Sequence, residues 1–301
     1  MKYLIVGGAG FIGSHLVDRL LKEPNADVVV LDDFSMGRYE NLPSTKDAKN
    51  LIIIGASIFD DIDYIFEGVD VVFHFAALTR PRYSLEHPLE VNKTNVEGTL
   101  KMLVHARDNM VRKFVFISSA AIYGKQDIFP IREDSIPHPK GPYAVSKLAG
   151  EMYCKLFSEL YGMKVNCVRP FNVYGKRQSI KGSYAAAIPN FINALKDGTK
   201  PYITGDGKQV RDFVYVEDVV ELIDRVAKSD LDRQVFNAGS GESTSVQTIY
   251  DTISSLMDKV VVPDYIAPII EPETKADVDK AKVFLGWTPK TSLEEGLRRT
   301  I

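Results

Sequence analysis

The chain has 301 residues, of which 45% are hydrophobic, and a formal net charge of −3. That length buries one large core or two smaller ones, and the balanced charge, without basic runs or basic–aromatic interleaving, argues against a nucleic-acid or anionic-membrane partner. Cys154 and Cys167 lack metal-ligand spacing, no apolar run spans a bilayer, and Met1-Lys2 enters a strand without a signal-peptide pattern, so a cytoplasmic protein with buried thiols and no metal site is expected.

Residues 3–6 (Tyr-Leu-Ile-Val) are a short apolar run of the kind buried on both faces of a sheet. Gly7, Gly10 and Gly13 follow, and then Ser14 to Leu21 with helical spacing. Strand, glycine turn and helix together form a phosphate cradle: bare backbone approaches a pyrophosphate, and the helix N-terminus offers unpaired N–H groups. The second strand, residues 28–31, ends in Asp32-Asp33. A carboxylate there binds ribose hydroxyls and repels a 2′-phosphate, which favours NAD over NADP.

Further strands are expected at residues 51–54, 69–75 and 114–118, with a helix from Asn92 to Asn109 between the last two. This alternation implies a doubly wound parallel sheet with ligands at the C-terminal strand ends. Ala76-Ala77 and Ser118-Ser119 occupy such ends. After a Pro-rich loop, Pro142 opens a helix whose face recurs through Leu148, Met152, Leu156 and Leu160. Tyr143 and Lys147 sit one turn apart on it. A nearby ammonium favours the phenolate, so the pair is expected to lower the tyrosine pKa and to exchange a proton with a substrate hydroxyl. YxxxK spacing alone is common; its convergence with the other strand ends gives it weight.

Beyond Arg169 the clean alternation is lost. Residues 211–216 read as a strand, 217–227 as a helix, 236–239 as a strand, 246–257 as a helix and 275–285 as a closing segment. The expected organisation is a Rossmann domain over residues 1–170 and a smaller mixed α/β portion over 171–301. The latter acts as a lid over the cofactor and is partly interwoven with the first.

With the glycine loop, Ser119 and the Tyr143/Lys147 pair assembled, the chain resembles the extended short-chain dehydrogenase/reductase family. Within it, the chain is similar to the UDP-glucose/UDP-N-acetylglucosamine 4-epimerases. The resemblance implies tightly held NAD, transient oxidation at the sugar C4 and return of the hydride to the other face, an isomerisation. It makes Tyr143 the base and then the acid, Lys147 the partner of Tyr143 and of the nicotinamide ribose, and Ser119 a hydrogen-bond partner of the C4 oxygen. It places Gly7, Gly10, Phe11, Ile12 and Gly13 on the cofactor, with Asp32, Asp33, Phe34, Ser35, Met36 and Gly37. Ser57, Ile58, Phe75, Ala76, Ala77, Thr79, Asn95 and Phe171 complete that set. Asn172, Ala187, Ile188, Tyr202, Thr204 and Arg211 fall where the family grips the nucleotide sugar, with Arg211 on the diphosphate.

Competing assignments stay open. Ser119 also suits a backbone cap, Asn172 a turn and Arg211 a surface ion pair. His74 reads as a packed core histidine. Arg80 and Arg82 suit either a phosphate or substrate carboxylate, or a solvated loop. Three departures from the family pattern stand out. Ser57-Ile58 replaces an Asp-Ile pair at the adenine. A late diphosphate arginine is absent, the aligned stretch being residues 267–270. Thr274, small, aligns with the position that gates a C2 substituent and leaves room for an N-acetyl group. Dehydration is disfavoured, because Ser119-Ala120-Ala121-Ile122 holds no carboxylate. UDP-glucuronate epimerisation or decarboxylation is the main alternative, and a non-catalytic NAD-binding protein the alternative of another class. The resemblance also implies a homodimer through a four-helix bundle built from helices near 92–109 and 143–160.

Overall fold

The structure, a computed structural model, describes residues 1–44, 48–179, 186–267 and 272–301. One sheet dominates it. Six strands come from the first 170 residues: β1 (Lys2–Val6), β2 (Asp27–Asp32), β3 (Leu51–Gly55), β4 (Val71–His74), β5 (Lys113–Ile117) and β6 (Lys164–Pro170). A seventh, Val235–Ala238, returns to pair with β6. The order across the sheet is the seventh strand, β6, β5, β4, β1, β2, β3, and every pairing is parallel. The chain winds outward from β1 to β3, then crosses back to β4 on the other side of β1. The crevice at that switch point is where such sheets bind ligands.

The apolar runs explain the layering. In β1, Tyr3 and Ile5 enter one core while Leu4 and Val6 enter the other. The same alternation sends Val28 and Val30 one way and Val29 and Leu31 the other. A strand covered on both faces must be apolar at consecutive positions, and each such side chain contributes about 1.5–3 kcal/mol on burial. The first core is closed by α1 (Phe11–Leu20) and the helix Val216–Lys228, which pack together; the second is closed by Gly98–Asp108 and Pro142–Tyr161. Cys154 and Cys167, both buried and reduced, lie in the second core.

Register then sets the site. Val6 pairs with Leu31 and with His74, and His74 pairs with Phe116. The residues one step further, Gly7, Asp32, Phe75 and Ile117, therefore stand along one edge. The helix expected over residues 92–109 starts earlier, as Pro88–Asn92, and passes through a wide π turn, Lys93–Glu97, into Gly98–Asp108. The strand expected at 211–216 is two short ones: Val210–Arg211 pairs with Thr244–Ser245, and Phe213–Tyr215 pairs with Asn172–Tyr174. Asp212 divides them, because its fully buried carboxylate accepts hydrogen bonds from Ser240, Gly241 and Ala276. Among the described residues no helix is long and apolar enough to cross a membrane.

Candidate active site

A cavity of about 1110 Å³ opens along the strand-end edge. Single drug-sized ligands occupy pockets of roughly 300–1,000 Å³, so this space suits a dinucleotide with a second ligand beside it. Its wall runs from the glycine turn, past Ser119, Tyr143 and Lys147, to Tyr202, Thr204 and Arg211.

At one end the wall is mostly backbone. Gly7 has φ +81°, and a Cβ there would stand 2.6 Å from the Ala76 nitrogen. A Cβ on Gly13 would stand 2.6 Å from the Gly7 carbonyl oxygen. Gly10 caps α1 without a side-chain hydrogen bond, so the first-turn N–H groups stay open to an anion. The Asp32 carboxylate accepts the N–H of Ala9 at 2.8 Å and that of Phe34 at 2.9 Å. Each oxygen keeps a lone pair for a ribose hydroxyl. Burial raises the Asp32 pKa and the two backbone hydrogen bonds oppose it. Cradle and carboxylate together fit a dinucleotide with an unphosphorylated ribose. Asp33 folds back on Ser35, accepting its N–H and its hydroxyl. Ser57 and Ile58 line the wall, with the Ser57 N–H donated to Asp60 and the Ser57 hydroxyl accepting from the Phe59 N–H.

At the centre, Ser119 and Tyr143 share the cavity wall, the Ser119 hydroxyl draws the Tyr143 pKa down against burial, and Ser119 Oγ accepts the Ala121 N–H at 3.1 Å. The capping expectation for Ser119 thus describes it. Lys147 differs from expectation. Its Nζ donates to the Ile117 carbonyl at 2.8 Å and lies 5.1 Å over the Phe116 ring. Burial pushes its pKa down to about 8, while burial raises that of Tyr143 against the opposing Ser119 hydroxyl. The expected lowering of the phenol pKa is therefore corrected: loss of water raises the phenol, and Ser119 rather than Lys147 is the group that opposes it. His74 is a core residue, as its strand suggested. Thr99 donates its hydroxyl hydrogen to Asn95 O, so His74 Nε2 must be the donor to Thr99 at 3.0 Å. Burial holds that imidazole neutral, with its pKa down to about 3.

Three expected contacts lie off the wall. Phe34, at φ +57°, packs toward Gly55 and Tyr39. Asn95 is buried in the π turn, where it clamps both backbone groups of Leu78 and donates to Ser146. Thr274 accepts the Asp212 N–H at 3.1 Å, so its hydroxyl braces a strand break rather than facing a sugar. The remaining expected residues, Phe11, Ile12, Met36, Gly37, Phe75, Ala77, Thr79, Phe171, Asn172, Ala187 and Ile188 among them, are in the wall. Arg211 is buried there, its guanidinium donating to Val210 O at 2.7 Å. Of the stretch where an arginine is missing, residues 268–270 lie outside the described residues. Arg80 and Arg82 also line the wall.

Sequence reasoning missed Arg38, Arg177 and Gln209, all in the wall, and placed Ser118 at a ligand-binding strand end without giving it a contact. Arg38 directly follows the assigned Gly37, so adjacency was a usable signal. Arg177 and Gln209 lie in the irregular stretch and gave none. Ser84 was also missed: its hydroxyl accepts the Tyr143 N–H at 3.2 Å and caps the helix from another segment.

Residues 3–239 match the model of the NAD dependent epimerase/dehydratase family. The UDP-glucose 4-epimerase of Mycolicibacterium smegmatis is 36% identical, the match covering 100% of this chain and 97% of that protein. The crystal structure of a UDP-glucose 4-epimerase from Thermotoga maritima with UDP-glucose superposes with a TM-score of 0.94 at 39% identity, covering 100% and 97% of the two chains. A UDP-N-acetylglucosamine 4-epimerase from Methanobrevibacter ruminantium M1, in complex with UDP-N-acetylmuramic acid, gives a TM-score of 0.95 at 35% identity over 99% and 96%.

Proposed function

The chain belongs to the NAD dependent epimerase/dehydratase family, and we propose that it is a UDP-sugar 4-epimerase, an isomerase that uses NAD. The observation that carries the reading is that Ser119, Tyr143 and Lys147 share the wall of one cavity with the glycine cradle and Asp32. NAD, when bound, supplies a hydride acceptor that later returns the hydride. Gly7, Gly10 and Gly13 admit its pyrophosphate and Asp32 takes a ribose hydroxyl. Tyr143 takes the proton of the sugar C4 hydroxyl and gives it back, while Ser119 holds the same oxygen. Lys147 serves the nicotinamide ribose. Arg211 takes the diphosphate, and Asn172, Tyr202 and Thr204 hold the sugar nucleotide. Residues 1–170 carry the cofactor and 171–301 most of the sugar nucleotide, with substrates in the UDP-glucose and UDP-N-acetylglucosamine classes.

A second reading has its own support. Arg80 and Arg82 add two cations to the wall, which favours a sugar bearing a carboxylate, such as UDP-glucuronate. The protein acts in the cytoplasm as a homodimer. Val145, Met152, Leu156 and Leu160 of the Pro142–Tyr161 helix are exposed in the single chain, a stripe suited to a helical bundle with a second copy. The test is incubation of purified protein, without added cofactor, with UDP-glucose, UDP-N-acetylglucosamine and UDP-glucuronate. Interconversion of a 4-epimer pair is expected. Carbon dioxide release from the uronate, or no turnover with any of the three, contradicts the reading.

A further inference from the structure

A buried ion pair lies behind the cavity wall, and no step of the proposed reaction uses it. Arg169, on β6, meets Glu151 as a two-pronged fork: Nε to Oε1 at 2.9 Å and Nη2 to Oε2 at 2.7 Å. The side chains are 6% and 8% exposed. Glu151 follows Lys147 by one helical turn and Tyr143 by two, on the same helix face. The third guanidinium nitrogen donates to Tyr123 Oη at 2.7 Å and to Glu133 O at 2.9 Å. Tyr123 ends the turn Ala120–Tyr123 that Ser119 caps, and its own hydroxyl donates to Asn237 on the seventh strand at 2.6 Å. One guanidinium therefore touches both the helix that carries Tyr143 and Lys147 and the turn that carries Ser119.

We infer that Glu151 and Arg169 are positioning residues, fixing the separation and rotation of the Tyr143 helix relative to the Ser119 turn. The inference rests on the proposed function and deepens it. Apolar side chains in the same slot would hold the two elements about as firmly, because desolvation of two buried charges offsets most of their attraction. They would not fix rotation, since apolar packing is non-directional, whereas a planar fork on a carboxylate sets both distance and angle. Two groups that must reach one substrate oxygen need that precision. A displacement near 1 Å costs roughly a hundredfold in rate.

The test is the double variant Glu151→Met with Arg169→Met, which removes both charges and leaves none unpaired. Melting temperature and bound NAD are expected to stay near wild type, kcat to fall about tenfold to a hundredfold, and KM to hold. The alkaline limb of kcat is expected to move to lower pH. Around the Lys147 ammonium stand Glu151 and Cys154 of its own helix, both of which raise its pKa, and His74 of β4, and the variant removes the Glu151 carboxylate. A kcat within about twofold of wild type with the melting temperature retained overturns the inference. Arg169→Lys, which keeps the charge and loses the fork, serves if the double variant does not fold; an unchanged kcat there overturns it equally. A crystal structure of either variant gives a substrate-independent reading: the Tyr143 phenol is expected to shift relative to the Ser119 hydroxyl, and an unmoved pair is contrary. Absence of turnover in wild type itself counts against the proposed function instead.

Discussion

The two ends of the cavity are built in different ways. The cofactor end stands on strands of one seven-stranded sheet, and its shape is set by backbone against backbone: a methyl group on Gly7 or Gly13 would stand 2.6 Å from a main-chain atom. The sugar end stands on strands of two or three residues in three separate pairs. Behind it one carboxylate, Asp212, between the wall residues Arg211 and Phe213, takes four hydrogen bonds of 2.6 to 3.0 Å from Ser240, Gly241 and Ala276. A long sheet supplies precision through steric exclusion, which tolerates no added atom. A patchwork of short strands supplies it through a polar hub, which tolerates added atoms but not lost acceptors. Substitutions should therefore separate the two ends.

The largest effect is expected at the cradle. Gly7→Ala forces a Cβ against the Ala76 backbone at φ +81°, and should cost about 2–4 kcal/mol of stability and nearly all retained NAD. Denaturant unfolding and bound-nucleotide content check this, and full NAD content would break the steric account. Next comes Asp212→Asn. The amide keeps one acceptor oxygen and turns N–H donors toward backbone N–H groups. A loss of about 2–4 kcal/mol is expected, with KM for UDP-glucose raised about tenfold and NAD retained. Loss of NAD in equal measure would show that the ends are not independent.

A smaller effect belongs to Lys147, at the junction. Burial holds its folded-state pKa at about 8, below the roughly 10.4 of an unfolded chain. Between those values the unfolded chain holds the proton and the folded one does not, so stability from this group rises as pH increases through that window. In NAD-free protein, wild type should gain about 1 kcal/mol or more on Lys147→Met between about pH 7.5 and about pH 9.5. Parallel urea-unfolding profiles would contradict the burial argument. The smallest effect is a control remote from both ends. Gly162 ends its helix at φ +67°, and a Cβ placed there would meet nothing within 4 Å. Gly162→Ala should cost only about 1 kcal/mol, measured by unfolding, with turnover unchanged.

The same contrast explains what the sequence made legible. Apolar runs bounded by glycine give the strands, and glycine spacing gives the cradle, because both are local. The reach of Asn95 to Leu78, of Ser84 to Tyr143 and of Arg169 to Glu151 and Tyr123 is not local. Nothing in the spacing of those residues announces a partner. Residues 211–216 read as one strand because aromatic and β-branched residues fill them; the break at Asp212 depends on donors 28 to 64 positions away. Thr274 reads as gating a sugar substituent from its alignment with the family and its small size, but its hydroxyl has a backbone donor to accept. On the Pro142–Tyr161 helix, the stripe through Met152, Leu156 and Leu160 marks the helix correctly, yet the buried face runs through Tyr143, Lys147, Gly150 and Cys154.

The central claim is that the Tyr143 phenol moves the proton in a site whose cofactor is held by other groups. Tyr143→Phe keeps the ring and removes only the hydroxyl. Its NAD content should equal that of wild type while UDP-sugar turnover falls by roughly a hundredfold to ten-thousandfold. Turnover at the wild-type rate with NAD still bound would contradict the claim.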